Sequence, residues 1–394
     1  MTISIEPQRV SCEEAGYEEK TVLHLERHFE HLIASDKIQC ASYLLSREGK
    51  VFAQGAFGKL RYDQPDSMLQ LDSIRRIASV TKLFTAVAIF QLVEQGTLFL
   101  RQSVADWIEE FKNPMYEKIT IMHLLTHTSG IAADPFYYLE PYPIGWGSVL
   151  FAYQPETEGP HAVTDEAELE KQRKTAWLRA LLAGKPLSQP GEAWNYSSAG
   201  YTVLGEIIAR ASGKRYEQYV MDHIVEPLGL KRTFFEVPEH LQSEVCIINE
   251  FEAQRLDSKL GSYTAPRAGG GLYSTIGDLY RFGQMFLNGG TWNGVRILSR
   301  KSIEKMTGNV LEKGIHAYSW GGNIKDKTYG LGPLLIHSGE WINENTYGHE
   351  GAGRCMLLMD HVRNAVILFF VPSNTDWCPE SMIGTQNIIG AGWR

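Results

Sequence analysis

Residues 79–82 have the sequence SVTK, a pattern that can pair a nucleophile with a base. On a helix, residues three apart share a face, so the Ser79 hydroxyl and the Lys82 amine can meet. A serine hydroxyl becomes nucleophilic when a base takes its proton. A lysine can be that base where burial or nearby positive charge lowers its pKa, and the apolar residues 83–87 favour burial. The pattern therefore predicts serine-based acyl transfer at the start of a buried helix, where backbone N–H groups face developing negative charge.

The same pattern occurs again at residues 302–305, with the sequence SIEK. This second copy lies in a charged segment typical of an exposed helix, so we assign it no chemistry. The first copy is favoured because two later segments offer companion groups.

These companion groups lie beside a predicted helix and before a predicted strand. Tyr196 is in a polar loop within residues 190–201, PGEAWNYSSAGY. A tyrosine near a lysine can be held as phenolate and act as a general base. In residues 348–353, GHEGAG, glycines allow a substrate to approach the backbone, and His349 can donate a hydrogen bond or carry a proton.

Hydrophobic patterns predict the elements that position these residues. A buried helix extends from Ser79 to Gln95 and stops at Gly96, while hairpins at 41–54 and 354–371 lie towards opposite ends of the chain. Further helices are predicted at 21–34, 116–126, 168–184, 198–212, 215–228 and 381–389.

This order of elements predicts an α+β fold, in which both chain ends form an antiparallel sheet flanked by helices and a mainly helical domain is inserted. We expect residues 1–72 and 266–394 to form the sheet-containing part and residues 73–265 the mainly helical part. Within the latter, the segment 132–167 is rich in aromatic residues, proline and glycine, and is either a lid or an ordinary surface excursion.

With these motifs, the sequence resembles the serine β-lactamase-like superfamily, which includes class C β-lactamases, D-alanyl-D-alanine carboxypeptidases and family VIII esterases. The resemblance extends from about residue 40 to residue 372. Besides the three motifs above, it rests on four blocks in the superfamily's order, namely RIASVTK at 76–82, LLTHTSG at 124–130, AGGGLYS at 268–274 and YGLG at 329–332.

The resemblance implies a role for each motif residue. Ser79 would be the nucleophile, Lys82 its activating partner, Tyr196 the general base and then acid, and His349 the first residue of an H-x-G third motif. The oxyanion hole would be the backbone N–H groups of Ser79 and Ala352. Ser198, Glu350 and Gly351 would contact the substrate.

Two positions depart from the superfamily's pattern. Ser198 stands where Y-x-N motifs have asparagine, and His349 replaces the permanent cation of the K-T-G form, which weakens recognition of a substrate carboxylate. We therefore expect a serine hydrolase acting through an acyl-enzyme on an ester or amide, as a carboxylesterase or a D-aminoacyl peptidase/amidase. Alternatives are an acyltransferase, a weak β-lactamase, or a non-catalytic binding or scaffold homologue.

Composition limits the partners and the compartment. The net charge of −8, without a basic run, argues against nucleic-acid binding, and neither a signal peptide nor a spanning segment is recognisable. The odd, scattered cysteines indicate free thiols and a cytoplasmic location; they are Cys12, Cys40, Cys246, Cys355 and Cys378.

Other residues with potential chemistry have plainer explanations. His24, His28 and His31 are spaced to share a helix face, but we expect a solvated polar face there; no metal or cofactor is expected. His127 is expected to hold a turn, and residues 269–271 to let the backbone pass beneath the active site. Tyr201 is either core or pocket wall.

Overall fold

The computed structural model describes residues 8–131, 165, 176–179, 181–182, 185–256, 265–319, 322–324, 327–336, 346–373 and 378–394. The candidate lid, 132–167, lies outside the described residues apart from Asp165, and so does most of the predicted helix 168–184.

An antiparallel sheet built from both ends of the chain dominates the fold. The order of its described strands is β11-β12-β13-β14-β1-β2-β3. Smaller sheets pair β9 with β5 and β10, β4 with β6, and β7 with β8. The strands are β1 Cys40–Arg47, β2 Lys50–Arg61, β3 Gln64–Met68, β4 Arg75–Arg76, β5 Ala193–Asn195, β6 Tyr273–Ser274, β7 Thr291–Trp292, β8 Val295–Arg296, β9 His316–Ser319, β10 Gly322–Ile324, β11 Leu334–Ile336, β12 Thr346–Gly351, β13 Cys355–Asp360 and β14 Ala365–Phe370.

Helices cover both faces of this sheet and fill the middle of the chain. The described α-helices are α1 Glu19–Ala34, α2 Thr81–Glu94, α3 Ile121–Leu125, α4 Ser198–Ser212, α5 Tyr216–Val220, α6 Glu250–Leu256, α7 Ile276–Leu287, α8 Arg300–Thr307 and α9 Thr385–Ala391. Shorter turns of 3-10 helix occur at Ala78–Val80, Val104–Asp106, Glu109–Phe111 and Glu239–Glu244, and π-helical turns at Met221–Val225 and Glu380–Gly384. The predicted α+β architecture is confirmed.

The alternation of side chains along β14 shows how the sheet separates two cores. Leu368 points into the larger core, shared with α2 and α7, whereas Ile367 and Phe369 point into the core beneath α1 and α9. Both faces are buried, so the strand is an almost continuous apolar run.

Helix α2 carries the SVTK motif into the larger core. It is apolar on nearly every side, and its chain leaves the helix at Gly96 with φ +74°, as predicted. It packs against α4, whose described bounds also match the prediction. The nucleophile segment is therefore held by packing on all sides.

Three predicted helices were wrong in extent. The helix expected at 116–126 is confined to Ile121–Leu125, because Thr120 caps its start by accepting a hydrogen bond from the His123 amide. The helix expected at 215–228 is α5 followed by a π-helical turn to Val225, and the closing helix is split by a similar turn. The domain boundaries at 73 and 266 stay a prediction.

Free thiols are confirmed for all five cysteines. Cys40 and Cys246 lie closest, with their sulfur atoms 3.6 Å apart. Within the described ranges, no helix is both long and apolar enough to cross a membrane.

Candidate active site

Ser79 and Lys82 meet at the junction between a 3-10 turn and α2. Lys82 is fully buried, and its Nζ lies 3.0 Å from Ser79 Oγ. The same Nζ donates hydrogen bonds to Ser198 Oγ at 3.0 Å and to the Gly269 carbonyl at 2.6 Å. Ala78, just before the nucleophile, has φ +43°, an uncommon conformation for a residue with a side chain. The turn thus presents the half-buried Ser79 to a lysine that also donates hydrogen bonds to Ser198 and Gly269.

The segment after β5 brings Tyr196 and Ser198 to this lysine. The Tyr196 ring centroid is 4.8 Å from Lys82 Nζ and 4.5 Å from the His127 ring. Ser197 caps α4 by accepting a hydrogen bond from the Gly200 amide, and this cap fixes the start of the helix beside α2. Ser198 therefore contacts the lysine directly, a contact that the sequence did not predict.

The third motif forms β12, with His349 buried next to Tyr329. The Glu350 carbonyl lies 2.6 Å from His349 Nδ1, and a carbonyl can only accept, so Nδ1 carries the proton. The Tyr329 hydroxyl is 3.4 Å from Nε2. Burial, with a smaller contribution from the Lys82 charge, lowers the pKa of His349 to about 3. The third motif therefore contributes a neutral imidazole.

The end of β12 lies against the turn that carries Ser79. A methyl group added to Gly351 would come within 2.3 Å of the Ile77 carbonyl oxygen, so only glycine fits there without movement. The next residue, Ala352, is exposed. The buried Arg75 donates a hydrogen bond to the Gly353 carbonyl at 3.2 Å. The strand end that would supply one oxyanion N–H is thus fixed beside the nucleophile.

Glu350 points towards Arg354 rather than towards Lys82. Its carboxylate lies 3.4 Å from an Arg354 guanidinium nitrogen, and burial raises the pKa of the Glu350 carboxyl. Its predicted contact with substrate, like that of Gly351, stays a prediction.

A buried chain of hydrogen bonds extends behind the site. The Ser197 amide donates to His127 Nδ1 at 3.1 Å, so Nε2 carries the proton and donates to the Tyr329 hydroxyl at 3.1 Å. Tyr329 then faces His349. His127, which was expected to hold a turn, therefore has a structural role: it binds the residue that caps α4 and links the second motif to the third. Its link to Tyr329 was not predicted, because the partners are far apart in sequence.

Several open questions from the sequence are answered by contacts. Tyr201 is core, since it is fully buried and donates to the Leu125 carbonyl at 3.0 Å. The Gly269 carbonyl beneath Lys82 agrees with the expected passage of backbone under the site. In the second SxxK copy, the Ser302 hydroxyl donates to Glu94, and Lys305 is exposed.

No group of three or more His, Cys, Asp or Glu side chains suited to hold a metal ion occurs among the described residues. His28, which the sequence places among three histidines, contacts the Glu380 carbonyl at 3.1 Å.

This arrangement can be compared with known proteins. The Beta-lactamase family model matches residues 25–378. The chain belongs to the beta-lactamase family. The predicted resemblance to the serine β-lactamase-like superfamily is thereby confirmed, and with it the fold. The hydrolases of this family are serine hydrolases.

Individual relatives and solved structures are similar to this chain in sequence or in fold. The D-alanyl-D-alanine-carboxypeptidase/endopeptidase AmpH of Escherichia coli K12 is 31% identical over 222 residues, 56% of this chain and 50% of AmpH. The octameric penicillin-binding protein homologue from Pyrococcus abyssi superposes with a TM-score of 0.68 at 25% identity, covering 92% of this chain and 76% of that one. A family VIII carboxylesterase superposes with a TM-score of 0.69 at 19% identity, over 98% and 99% of the two chains. The match to AmpH spans half of that protein's length.

Proposed function

We propose that this protein is a serine hydrolase that acts through an acyl-enzyme on an ester or amide, as a carboxylesterase or a D-aminoacyl peptidase/amidase. The observation that carries the proposal is the distance of 3.0 Å between Ser79 Oγ and the buried Lys82 Nζ. A group that helps to remove a proton must be within hydrogen-bond reach of the atom that carries it, and Lys82 is within reach of Ser79 Oγ. The contacts from Ser198 and Gly269 fix the amine in that position.

The proposed reaction has two steps. Ser79 Oγ attacks the substrate carbonyl carbon, and its proton passes to the Lys82 and Tyr196 pair. The tetrahedral oxyanion is held by the N–H groups of Ser79 and Ala352, and the proton then goes to the departing alcohol or amine. Water attacks the acyl-enzyme in the second step with the same pair as base, releasing the acid and restoring Ser79. An acceptor alcohol or amine in place of water would give acyl transfer.

Two features favour an ordinary ester or amide over a β-lactam. The neutral His349 offers no positive charge to a substrate carboxylate at the third motif. Ser198, held by Lys82, is shorter than asparagine and presents no amide. AmpH, named as a carboxypeptidase and endopeptidase, supports amide bonds as substrates.

The test combines turnover with detection of the covalent intermediate. The protein is incubated with p-nitrophenyl acetate, p-nitrophenyl butyrate, nitrocefin and D-alanyl-p-nitroanilide, and its intact mass is measured. We expect turnover and an acyl adduct that Ser79→Ala abolishes. Ser302→Ala is the matched control, because it removes the serine of the second SxxK copy. Nitrocefin is expected to be the poorest substrate of the four.

The opposite result has a definite meaning. If no adduct forms and no substrate is consumed, the proposed hydrolysis fails for these substrate types, which leaves a non-catalytic binding homologue or an enzyme with a much narrower substrate range. An adduct that persists in Ser79→Ala would place the nucleophile elsewhere.

A further inference from the structure

Lys327 is a half-buried cation next to the active site that the proposed reaction does not use. Its Nζ lies 4.4 Å from the centre of the Trp194 ring. Burial lowers the pKa of Lys327 to about 8, and no carboxylate of the described residues opposes that shift. At neutral pH the amine is therefore largely charged, with an aromatic face rather than an anion as its described neighbour.

Trp194 connects this cation to the catalytic cluster. Its ring centroid is 6.3 Å from that of Tyr196, 5.8 Å from Tyr329 and 5.9 Å from His127. The charge of Lys327 contributes, after burial and the Lys82 charge, to the low pKa values of both His127 and His349. Lys327 thus lies close enough for its charge to be felt where the substrate carbonyl would react.

The other described groups around this cation leave its charge uncompensated. His127 and His349 are neutral because burial lowers their pKa values, and Tyr329 is neutral because burial raises its own. Glu350 is turned towards Arg354. A charge withdrawn from water is unfavourable unless an opposite charge compensates for it.

The face of Trp194 gives only part of that compensation, because an aromatic quadrupole attracts a cation more weakly than a carboxylate does. A charged substrate group would give the rest at the moment of binding.

We propose that Lys327 binds an anionic group of the substrate, so that the preferred ester or amide carries a carboxylate near the bond that is cleaved. This inference rests on the proposed function of Ser79 and specifies its substrate class. It also identifies a cation other than the third motif, where His349 supplies none. The carboxylate can lie on the acyl side or on the leaving group, and the test separates these two sources.

The test uses pairs of esters of similar size, in which one member is anionic and the other is neutral. On the acyl side, mono-p-nitrophenyl adipate is compared with p-nitrophenyl hexanoate. On the leaving-group side, 4-carboxyphenyl hexanoate is compared with 4-carbamoylphenyl hexanoate. The ratio of kcat/KM for the anionic ester to that for the neutral ester is measured for the wild type, Lys327→Met and Lys327→Arg. Lys305→Met, at an exposed site, makes the same change in net charge and serves as the control.

We expect the wild type to favour the anionic ester in one pair, and Lys327→Met to lower that ratio by about 10-fold to 100-fold, as for the loss of a charged hydrogen bond. Lys327→Arg should restore most of the ratio, and Lys305→Met should leave it unchanged. Because both esters are measured on one variant, a partly unfolded fraction cancels. A purely structural role for Lys327 would therefore not move the ratio, and an unchanged ratio in both pairs overturns the proposal.

A direct binding measurement separates this inference from the function on which it rests. If the wild type hydrolyses none of the esters, calorimetry compares their binding to Ser79→Ala with and without Lys327→Met. Anion binding that depends on Lys327 would support the binding site while the hydrolase proposal fails. Equal binding of charged and neutral esters would overturn the site as well.

Discussion

Replacing Gly351 by alanine tests whether the close contact between β12 and the nucleophile turn sets the rate. The new methyl group would lie 2.3 Å from the Ile77 carbonyl oxygen. An ordinary carbon–oxygen contact is about 3.4 Å, so the strand end and the turn must separate by about 1 Å, a displacement that can cost about 100-fold in rate. Because Ala352 follows directly, the loss should appear in kcat, where the oxyanion contact acts.

The assay is steady-state hydrolysis of p-nitrophenyl butyrate, together with the rate at which a fluorophosphonate labels Ser79. Gly277→Ala is the matched control, because a methyl group there would find its nearest neighbour, Thr275 Oγ1, at 3.9 Å. We expect Gly351→Ala to lose about 100-fold in both rates and Gly277→Ala to stay near the wild type. A folded Gly351→Ala protein with wild-type rates would show that this contact does not position the oxyanion hole.

Two further outcomes follow from the buried hydrogen-bond chain. Tyr329→Phe leaves the His127 Nε2 proton without its acceptor, at a cost of about 1–3 kcal/mol. With an unfolding entropy of about 2.1 cal/mol/K per residue over 394 residues, this cost lowers Tm by about 1–4 °C, which calorimetry can measure. The control Tyr62→Phe, at an exposed site, should change Tm little. Equal Tm values for Tyr329→Phe and the wild type would contradict this prediction. The pKa of His349 is about 3 in the folded protein, below the usual value of 6.5. Between these two pH values the unfolded chain therefore binds more protons than the folded protein. The stability gained by burying the neutral ring is lost as the pH falls from 6.5 towards 3. In urea unfolding across that range, His349→Gln should lose less stability than the wild type, and parallel curves would show that His349 is not the group responsible.

Local spacing predicted the parts of the site that are close in sequence. Ser79 and Lys82 meet because they are three residues apart at a helix start, and the apolar residues that follow bury the lysine. The alternation and hairpins of the terminal strands predicted a sheet from both chain ends, since strand pairing across a short turn is a local event. The resemblance then assigned Tyr196 and His349 to the second and third motifs.

Contacts between distant segments could not be predicted in this way. The Gly269 carbonyl reaches Lys82 across 187 residues, and nothing in the local sequence marks which carbonyl will do so. Lys327 and Trp194 likewise come together only in the folded chain. The prediction of a helix from residue 116 was wrong because it followed the spacing of the apolar residues and not the capping signal of Thr120. The Thr120 side chain caps the helix, which begins at Ile121.

The place of β1 in the sheet has a consequence for synthesis of the protein on the ribosome. One edge of β1 pairs with β2, its neighbour in sequence, but the other pairs with β14, which ends at Phe370. During synthesis, the edge of β1 that pairs with β14 stays unpaired until the chain as far as Phe370 has emerged. Such an edge is a template for pairing with other chains, and long-range strand pairing is slow. Pairing of β14 with β1 covers this edge, and β12, which reaches β14 through β13, joins the sheet in the same late step. The edge is therefore covered at the same stage at which β12 is brought beside Ser79.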